Sequence, residues 1–359
     1  MIRVLHIPDS MNVGGLETFI MNVYRCIDKD KIQFDIFSAD KSCNSEEEIV
    51  SLGGNVYYTL PKKRHLFRYT RDLFRVLRKN KYTAIHIHTA DSYSIIPLFI
   101  CFVSRVKIKI FHSHNSIGRV NPLLHRILQM GINTISNKKL SCSEQASVWM
   151  YGKNQKQVRI IKNSIDMDKF TYNDSLRKKT RQDFNIREDQ YVFIHTGRLT
   201  GQKNHSFLLK VFAELCKQLD NPVLFLAGDG ELKDELIKLA NELLIDDKVV
   251  FLGNRDDIQD ILSASDILIF PSLYEGLPFS LVEAQANGIY CVISDKISKM
   301  SVLSDRIIYM SLSETCKTWA EKIAEIPQGY DRMNFKRTGL QYYDSKATVK
   351  ELYNIYGVK

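Results

Sequence analysis

Two glutamates eight residues apart, Glu275 and Glu283, stand in the segment Phe270-Pro271-Ser272-Leu273-Tyr274-Glu275-Gly276-Leu277-Pro278-Phe279-Ser280-Leu281-Val282-Glu283-Ala284. The apolar run before them reads as a buried strand and Pro278 as the start of a helix, so Glu275 falls in the loop and Glu283 about one turn into the helix. Carboxylates accept from sugar hydroxyls, and open amides from Gly276 to Phe279 suit phosphate or sugar oxygens at a helix N-terminus. A second loop, Thr196-Gly197-Arg198-Leu199-Thr200-Gly201-Gln202-Lys203-Asn204-His205, departs from the Walker A pattern. Three residues rather than four separate its glycines, Gln precedes the Lys and Asn follows it. What remains is Arg198 and Lys203 on a glycine-flanked loop, suited to clamping a diphosphate without a metal.

Gly228-Asp229-Gly230 and Gly253-Asn254 end two further strands, and Gly14-Gly15-Leu16-Glu17 follows the first strand of the chain. Each alone is an ordinary turn. Together they gather at the sheet edges where α/β proteins bind ligands. The Gly14-Gly15 pair lacks the GxGxxG spacing, which removes the best support for a dehydrogenase.

The histidines form two HxH pairs on strands, His86/His88 and His112/His114, with the rings of each pair on one face. Four imidazoles raise the possibility of a metal hydrolase, but no carboxylate at ligand spacing accompanies them. Two acidic tripeptides, Asp28-Lys29-Asp30 and Asp166-Met167-Asp168, follow no central strand. No metal or other cofactor is expected.

These residues need a scaffold, and short β-rich runs alternate with amphipathic ones along the whole chain. Strands are expected at 2–7, 33–38, 55–58, 84–88, 107–112, 139–142 and 158–161. The second series is 191–196, 223–227, 249–252, 267–271 and 290–294. The pattern is that of two doubly wound parallel α/β units. The junction is placed at Asn163-Ser164-Ile165-Asp166, giving domains 1–165 and 166–339. The segment 340–359 reads as a helix with Leu352, Tyr353 and Tyr356 on one face.

The chain has 359 residues and a net charge of +9, but residues 1–165 carry 25 Lys+Arg against 12 Asp+Glu, while the remainder is slightly acidic. An anionic partner for the first half is implied. Segment 62–81 holds nine Lys+Arg, with Leu66, Tyr69, Leu73, Val76 and Leu77 as a helical stripe, the form of a helix lying on anionic lipid or of a core helix with a cationic face. Nucleic acid is disfavoured, since no RRM, KH, zinc-finger or helix-turn-helix signature is present. Seven scattered cysteines argue for a reducing compartment, and no apolar run approaches the roughly 20 residues of a membrane span.

Over nearly its whole length the sequence resembles the GT-B glycosyltransferases of retaining family 4, particularly bacterial exopolysaccharide and capsule enzymes. The resemblance rests on Gly14-Gly15-Leu16-Glu17, Gly197-Arg198 with Lys203-Asn204, Gly228-Asp229-Gly230, the linker 163–166, and Glu275-Gly276-Leu277-Pro278 through Glu283. It implies two Rossmann-like domains facing a central cleft, with the C-terminal helix packing back on the first. By the same resemblance, Arg198 and Lys203 neutralise the diphosphate of a nucleotide sugar, UDP being favoured, and Glu275 holds hydroxyls of the donor sugar. Glu283 binds the ribose, and Gly253 and Asn254 lie beside the base. Backbone amides at Gly14 and Gly15 and near Gly276 to Phe279, a stretch in which Leu277 lies and Pro278 starts the helix, complete the cradle together with Gly197, Gly228 and Asp229. His114, with His112 beside it, contacts donor sugar or phosphate. The implied activity is metal-independent, retaining transfer of a hexose or N-acetylhexosamine to a lipid-linked saccharide by a cytoplasmic protein peripheral on the inner membrane face. A noncatalytic sugar-binding relative is the alternative.

Overall fold

The computed structural model describes every residue except Val13, Ala90, 115–120, 153–156, Gly276, Leu277 and Lys359. The chain forms two compact units, Met1–Asp166 with Tyr342–Lys359, and Met167–Gln341.

The first unit is a parallel sheet of seven strands: β1 (Ile2–Ile7), β2 (Ile32–Ser38), β3 (Val56–Tyr58), β4 (Ala84–Thr89), β5 (Ile108–Ser113), β6 (Lys138–Ser141) and β7 (Val158–Ile160). Their order is β3-β2-β1-β4-β5-β6-β7, with Val4 opposite both Phe34 and Ala84. Parallel strands need crossover helices and are covered on both faces, which is why β1, β2 and β4 are buried almost throughout.

This requirement decides the fate of the basic helix. Within Leu66–Lys79, Tyr69 and Leu73 are buried, and Val76 and Leu77 pack against the same cluster, which contains Leu5, Ile85, Ile87 and Phe111. The apolar stripe that the sequence offers to lipid is therefore the core face, because the sheet must be covered and this helix covers it. Leu66 alone of the stripe is exposed.

The C-terminal helix, Ser345–Tyr356, packs against the Gly15–Cys26 helix of the first unit. Asp344 caps it by accepting from the Lys346 amide at 3.0 Å. Leu352, Ile355 and Tyr356 are buried, and the Tyr353 hydroxyl accepts from the Asp28 amide at 2.8 Å.

The second unit has six parallel strands: β8 (Val192–Thr196), β9 (Val223–Ala227), β10 (Val249–Gly253), β11 (Ile267–Phe270), β12 (Tyr290–Ser294) and β13 (Ile307–Met310), in the order β10-β9-β8-β11-β12-β13. The sequence pattern did not separate β13. It is a four-residue edge strand paired only with β12 and mostly half-buried, too short and too mixed to show a burial period. In both units the strand order reverses beside the first strand, between β1 and β4 and between β8 and β11. Those switch points are where ligands bind in such sheets.

A buried charge network fastens the second unit. Asp266, 6% exposed, accepts from Arg177 and Arg181 at 2.7 Å each and from the Val192 amide at 2.8 Å. Arg181 also donates to the Ala264, Arg187 and Gln190 carbonyls, so the Asp174–Asp183 helix is tied to the starts of β8 and β11. Removing one partner of a buried network strands the other charges. Asp266→Ala is expected to cost about 3–5 kcal/mol in chemical denaturation. A loss below about 1 kcal/mol would show that the two arginines are satisfied without it.

Candidate active site

At the carboxyl edge of the second sheet, the loops after β8, β9, β10 and β11 are knitted together by backbone hydrogen bonds. The Gly197 amide donates to Ala227 O at 2.9 Å, Leu199 to Asp229 O at 3.0 Å, and Gly228 to Gly253 O at 2.8 Å. Gly228 has φ +142°, and a Cβ there would lie 2.1 Å from the Gly197 carbonyl oxygen. Only glycine permits that approach. Asp229 accepts from the Gly230 amide at 2.8 Å, so its carboxylate shapes its own turn.

The loops after β8 and β11 flank the switch point, and they meet through side chains as well. Leu273 N donates to Gln202 O at 2.9 Å, Gln202 Nε2 to Tyr274 O at 2.9 Å, and Asn204 Nδ2 to Pro271 O at 3.2 Å. Within this frame Lys203 Nζ lies 2.8 Å from Glu275 Oε1, and the two side chains are only 14% and 10% exposed. Lys203 Nζ also sits 4.7 Å from the centroid of the Phe270 ring. Arg198 is exposed on the same loop. The structure thus brings together Gly197, Lys203, Gly228, Asp229, Gly253 and Glu275, with the exposed Asn254 beside them.

Pro278 is the N-cap of the Phe279–Asn287 helix; the Leu281 amide already donates to Pro278 O at 3.2 Å, which leaves the Phe279 and Ser280 amides ahead of any intrahelical acceptor. Glu283 lies on that helix, half-buried, and burial pushes its carboxyl up to about 7, with the Lys169 charge pulling the other way. The expected roles of Gly276 and Leu277 fall outside the described residues.

In the first unit Gly14 precedes the Gly15–Cys26 helix, its carbonyl accepting from both the amide and the hydroxyl of Thr18 at 3.0 Å. Glu17, buried in the first turn, accepts from Ser45 Oγ at 2.6 Å. At the same sheet edge a pocket of ≈ 300 Å³ is lined by Asp9, Lys62, Lys63, Tyr69 and Asp91 among others, with Lys62 paired to Asp9 at 3.1 Å and Lys63 to Asp91 at 3.3 Å.

The histidine pairs belong to a larger ladder. His6 Nδ1 is 2.8 Å from His88 Nε2, and His88 Nδ1 is 3.0 Å from His114 Nε2. His86 bridges His112 Nδ1 at 3.2 Å and the Tyr356 hydroxyl at 2.7 Å. The sequence reading missed His6 and Tyr356. Their membership follows from the tertiary structure, in which β1 pairs with β4 in a register placing His6 opposite His86. Burial pushes His6 down to about 3 and His114 to about 4, and burial together with neighbouring imidazoles holds His86, His88 and His112 well below the usual range. The column is neutral.

Nitrogens of His6, His86 and His88 lie within 4.8 Å of one another, as do those of His88, His112 and His114. The rings of His86 and His88 are stacked at 4.0 Å and 24°, and His112 and His114 lie 4.1 Å apart, with the nitrogens also engaging one another in the hydrogen bonds above. His6 Nε2 is buried without a partner among the described residues. A bare buried N–H is rarer than a bare lone pair, which places the His6 proton on Nδ1. The chain then donates from His6 to His88 and from His88 to His114, leaving Nδ1–H as the donor of a neutral His114.

Sequence and structure comparisons agree with this architecture. Residues 13–169 match the family model described as Glycosyltransferase Family 4, and residues 177–336 the model for Glycosyl transferases group 1. A Bacillus subtilis protein named as a glycosyltransferase, EpsF, is 34% identical over 99% of this chain and 96% of its own. The capsular polysaccharide biosynthesis glycosyltransferase CapH of Staphylococcus aureus is 25% identical over 99% of both. An Escherichia coli UDP-Gal:alpha-D-GlcNAc-diphosphoundecaprenol alpha-1,3-galactosyltransferase is 26% identical over 62% of this chain and 60% of its own. Among solved structures, Anabaena HepE in complex with UDP superposes with a TM-score of 0.77 at 17% identity, covering 99% of this chain and all of that one. With two Rossmann-like units and a full-length relative above 30% identity, the chain belongs to the GT-B glycosyltransferases of family 4.

Proposed function

We propose that this glycosyltransferase moves a hexose or N-acetylhexosamine from a UDP-sugar to a lipid-linked saccharide, with retention and without a metal, in the synthesis of a bacterial surface polysaccharide. The observation that carries the reading is the Lys203–Glu275 pair at the β8/β11 switch point, framed by glycine loops and a helix N-terminus. The UDP complex of HepE and the lipid-linked acceptor in the name of the E. coli relative support the donor and acceptor classes.

Cleaving a glycosyl phosphate bond sends its electron pair to the leaving diphosphate and leaves oxocarbenium character on the sugar. Fixed cations and helix amides stabilise the first charge, which is the role assigned to Lys203, Arg198 and the amides near Phe279. Glu275 then orients sugar hydroxyls, and Glu283 accepts from the ribose. His114 presents Nδ1–H at the carboxyl edge of the first sheet, and the role proposed for it is to donate to sugar or phosphate. In same-face attack the leaving phosphate oxygen takes the acceptor's proton, so no enzyme nucleophile is required. The pocket at Asp9 and Lys62 is where we place the acceptor. We further place the protein on the inner membrane face, where a lipid-linked acceptor resides. A noncatalytic donor-binding relative is the alternative reading, and nucleotide-sugar thermal shifts followed by transfer to a lipid-linked saccharide separate the two. Stabilisation by a UDP-sugar with no transfer to any such acceptor would favour the noncatalytic one.

Lys203→Ala and Arg198→Ala are each expected to lower kcat/KM for the donor by about 10²–10³, as for other lost transition-state donors; near-normal turnover would remove them from the mechanism. EDTA at millimolar concentration is expected to leave turnover unchanged, and loss restored by a divalent cation would overturn the metal-free reading. The raised Glu283 pKa sets a pH dependence. Below about 7 the carboxyl is protonated and a poorer acceptor, so UDP affinity measured by calorimetry is expected to tighten about tenfold from pH 6 to pH 8. Glu283→Gln should flatten that profile, and an unchanged slope in the variant would assign the titration elsewhere.

A further inference from the structure

We infer that the outer face of three neighbouring helices, Leu66–Lys79, Ile95–Val103 and Pro122–Ile135, is a docking surface for an anionic lipid bilayer. It specifies the membrane part of the proposed function and stands on different residues from the donor site. The three helices lie side by side in the first unit. Each turns one face to the sheet, through Tyr69 and Leu73, Leu98 and Cys101, and Ile132 respectively. The opposite faces carry large apolar side chains: Phe67 is 81% exposed, and Phe74, Phe99, Phe102, Ile127 and Met130 are between 41% and 67% exposed. Single exposed hydrophobes are ordinary, but a series across three adjacent helices marks a contact surface.

Charge identifies what covers it. On the three helices the exposed cations are Arg68, Arg71, Arg75, Arg78, Lys79 and Arg126, against Asp72 as their one acidic residue. On the first helix Phe67, Arg71, Phe74 and Arg78 follow one another at helical spacing on the outer face, and the Arg78 guanidinium lies 5.8 Å from the Phe74 ring. Aromatic and aliphatic tips among cations match the boundary between acyl chains and anionic headgroups. A second copy of the chain fits poorly, because two-fold pairing would set this face against itself and bring like charges together. No helix among the described residues is long and apolar enough to cross a membrane, so the contact is shallow insertion.

The test uses the full chain with vesicles of phosphatidylcholine alone or mixed with phosphatidylglycerol, at low salt. Flotation with the phosphatidylglycerol vesicles only is expected, falling by about tenfold or more in Phe99→Ser/Phe102→Ser, whose removed rings are solvent-facing. In Phe102→Trp, tryptophan emission should shift to the blue on binding and be quenched by brominated acyl chains. Turnover of a water-soluble acceptor analogue should stay at the wild-type level in Phe99→Ser/Phe102→Ser, which keeps docking apart from the proposed reaction. Absence of wild-type flotation, flotation unaffected by the double substitution, or a dimer in sedimentation equilibrium that the same substitution dissolves would each overturn the inference.

Discussion

An ion pair that neither partner can abandon organises the second unit. Lys203 and Glu275 are nearly withdrawn from water, and a charge so placed costs several kcal/mol unless it is matched. Their pairing constrains the path of two loops that are 72 residues apart in the chain, and the Gln202, Asn204 and Leu273 hydrogen bonds hold those loops in register. Behind them, the missing Cβ of Gly228 lets the β8 and β9 loops touch backbone to backbone. The pair and the glycine contact are therefore two halves of one constraint. A cation and a carboxylate can be presented together at a sheet edge only if the loops carrying them cannot drift apart.

The first unit meets the same need with neutral groups. Its interior holds a column of imidazoles where parallel strands usually bury aliphatic residues. Burial keeps the column uncharged, and its rings bond one another in two chains, His6–His88–His114 and His86–His112. An ordered chain of such bonds also fixes which nitrogen carries a proton, so a side chain at the edge of the sheet is oriented by one on β1. The Tyr356 hydroxyl joins the C-terminal helix to the second of these chains through His86, which gives that helix a polar as well as an apolar reason to pack on the first unit.

Charge and apolarity are distributed by topology. The sheet of the first unit requires cover on both faces, and the helix Leu66–Lys79 spends its best apolar stripe on that cover. What reaches the outside is the remainder: Phe67, Phe74 and the arginines between them. Amphipathicity alone could not say which side of this helix meets protein, because the helix has apolar residues on both.

Much of the fold was legible in the chain itself. Alternating β-rich and amphipathic runs determined two parallel α/β units, since parallel strands impose helical crossovers and an unbroken apolar interior. The glycines at strand ends and the spacing of Arg198, Lys203, Glu275 and Glu283 determined where the second unit would present its polar groups. The pairing of Lys203 with Glu275, the membership of His6 and Tyr356 in the imidazole column, the short edge strand β13 and the outward apolar face were decided only by tertiary structure. Each depends on which strands and helices become neighbours. Local sequence encodes the period of burial along one element, whereas contact between elements distant in the chain is set by sheet order and packing.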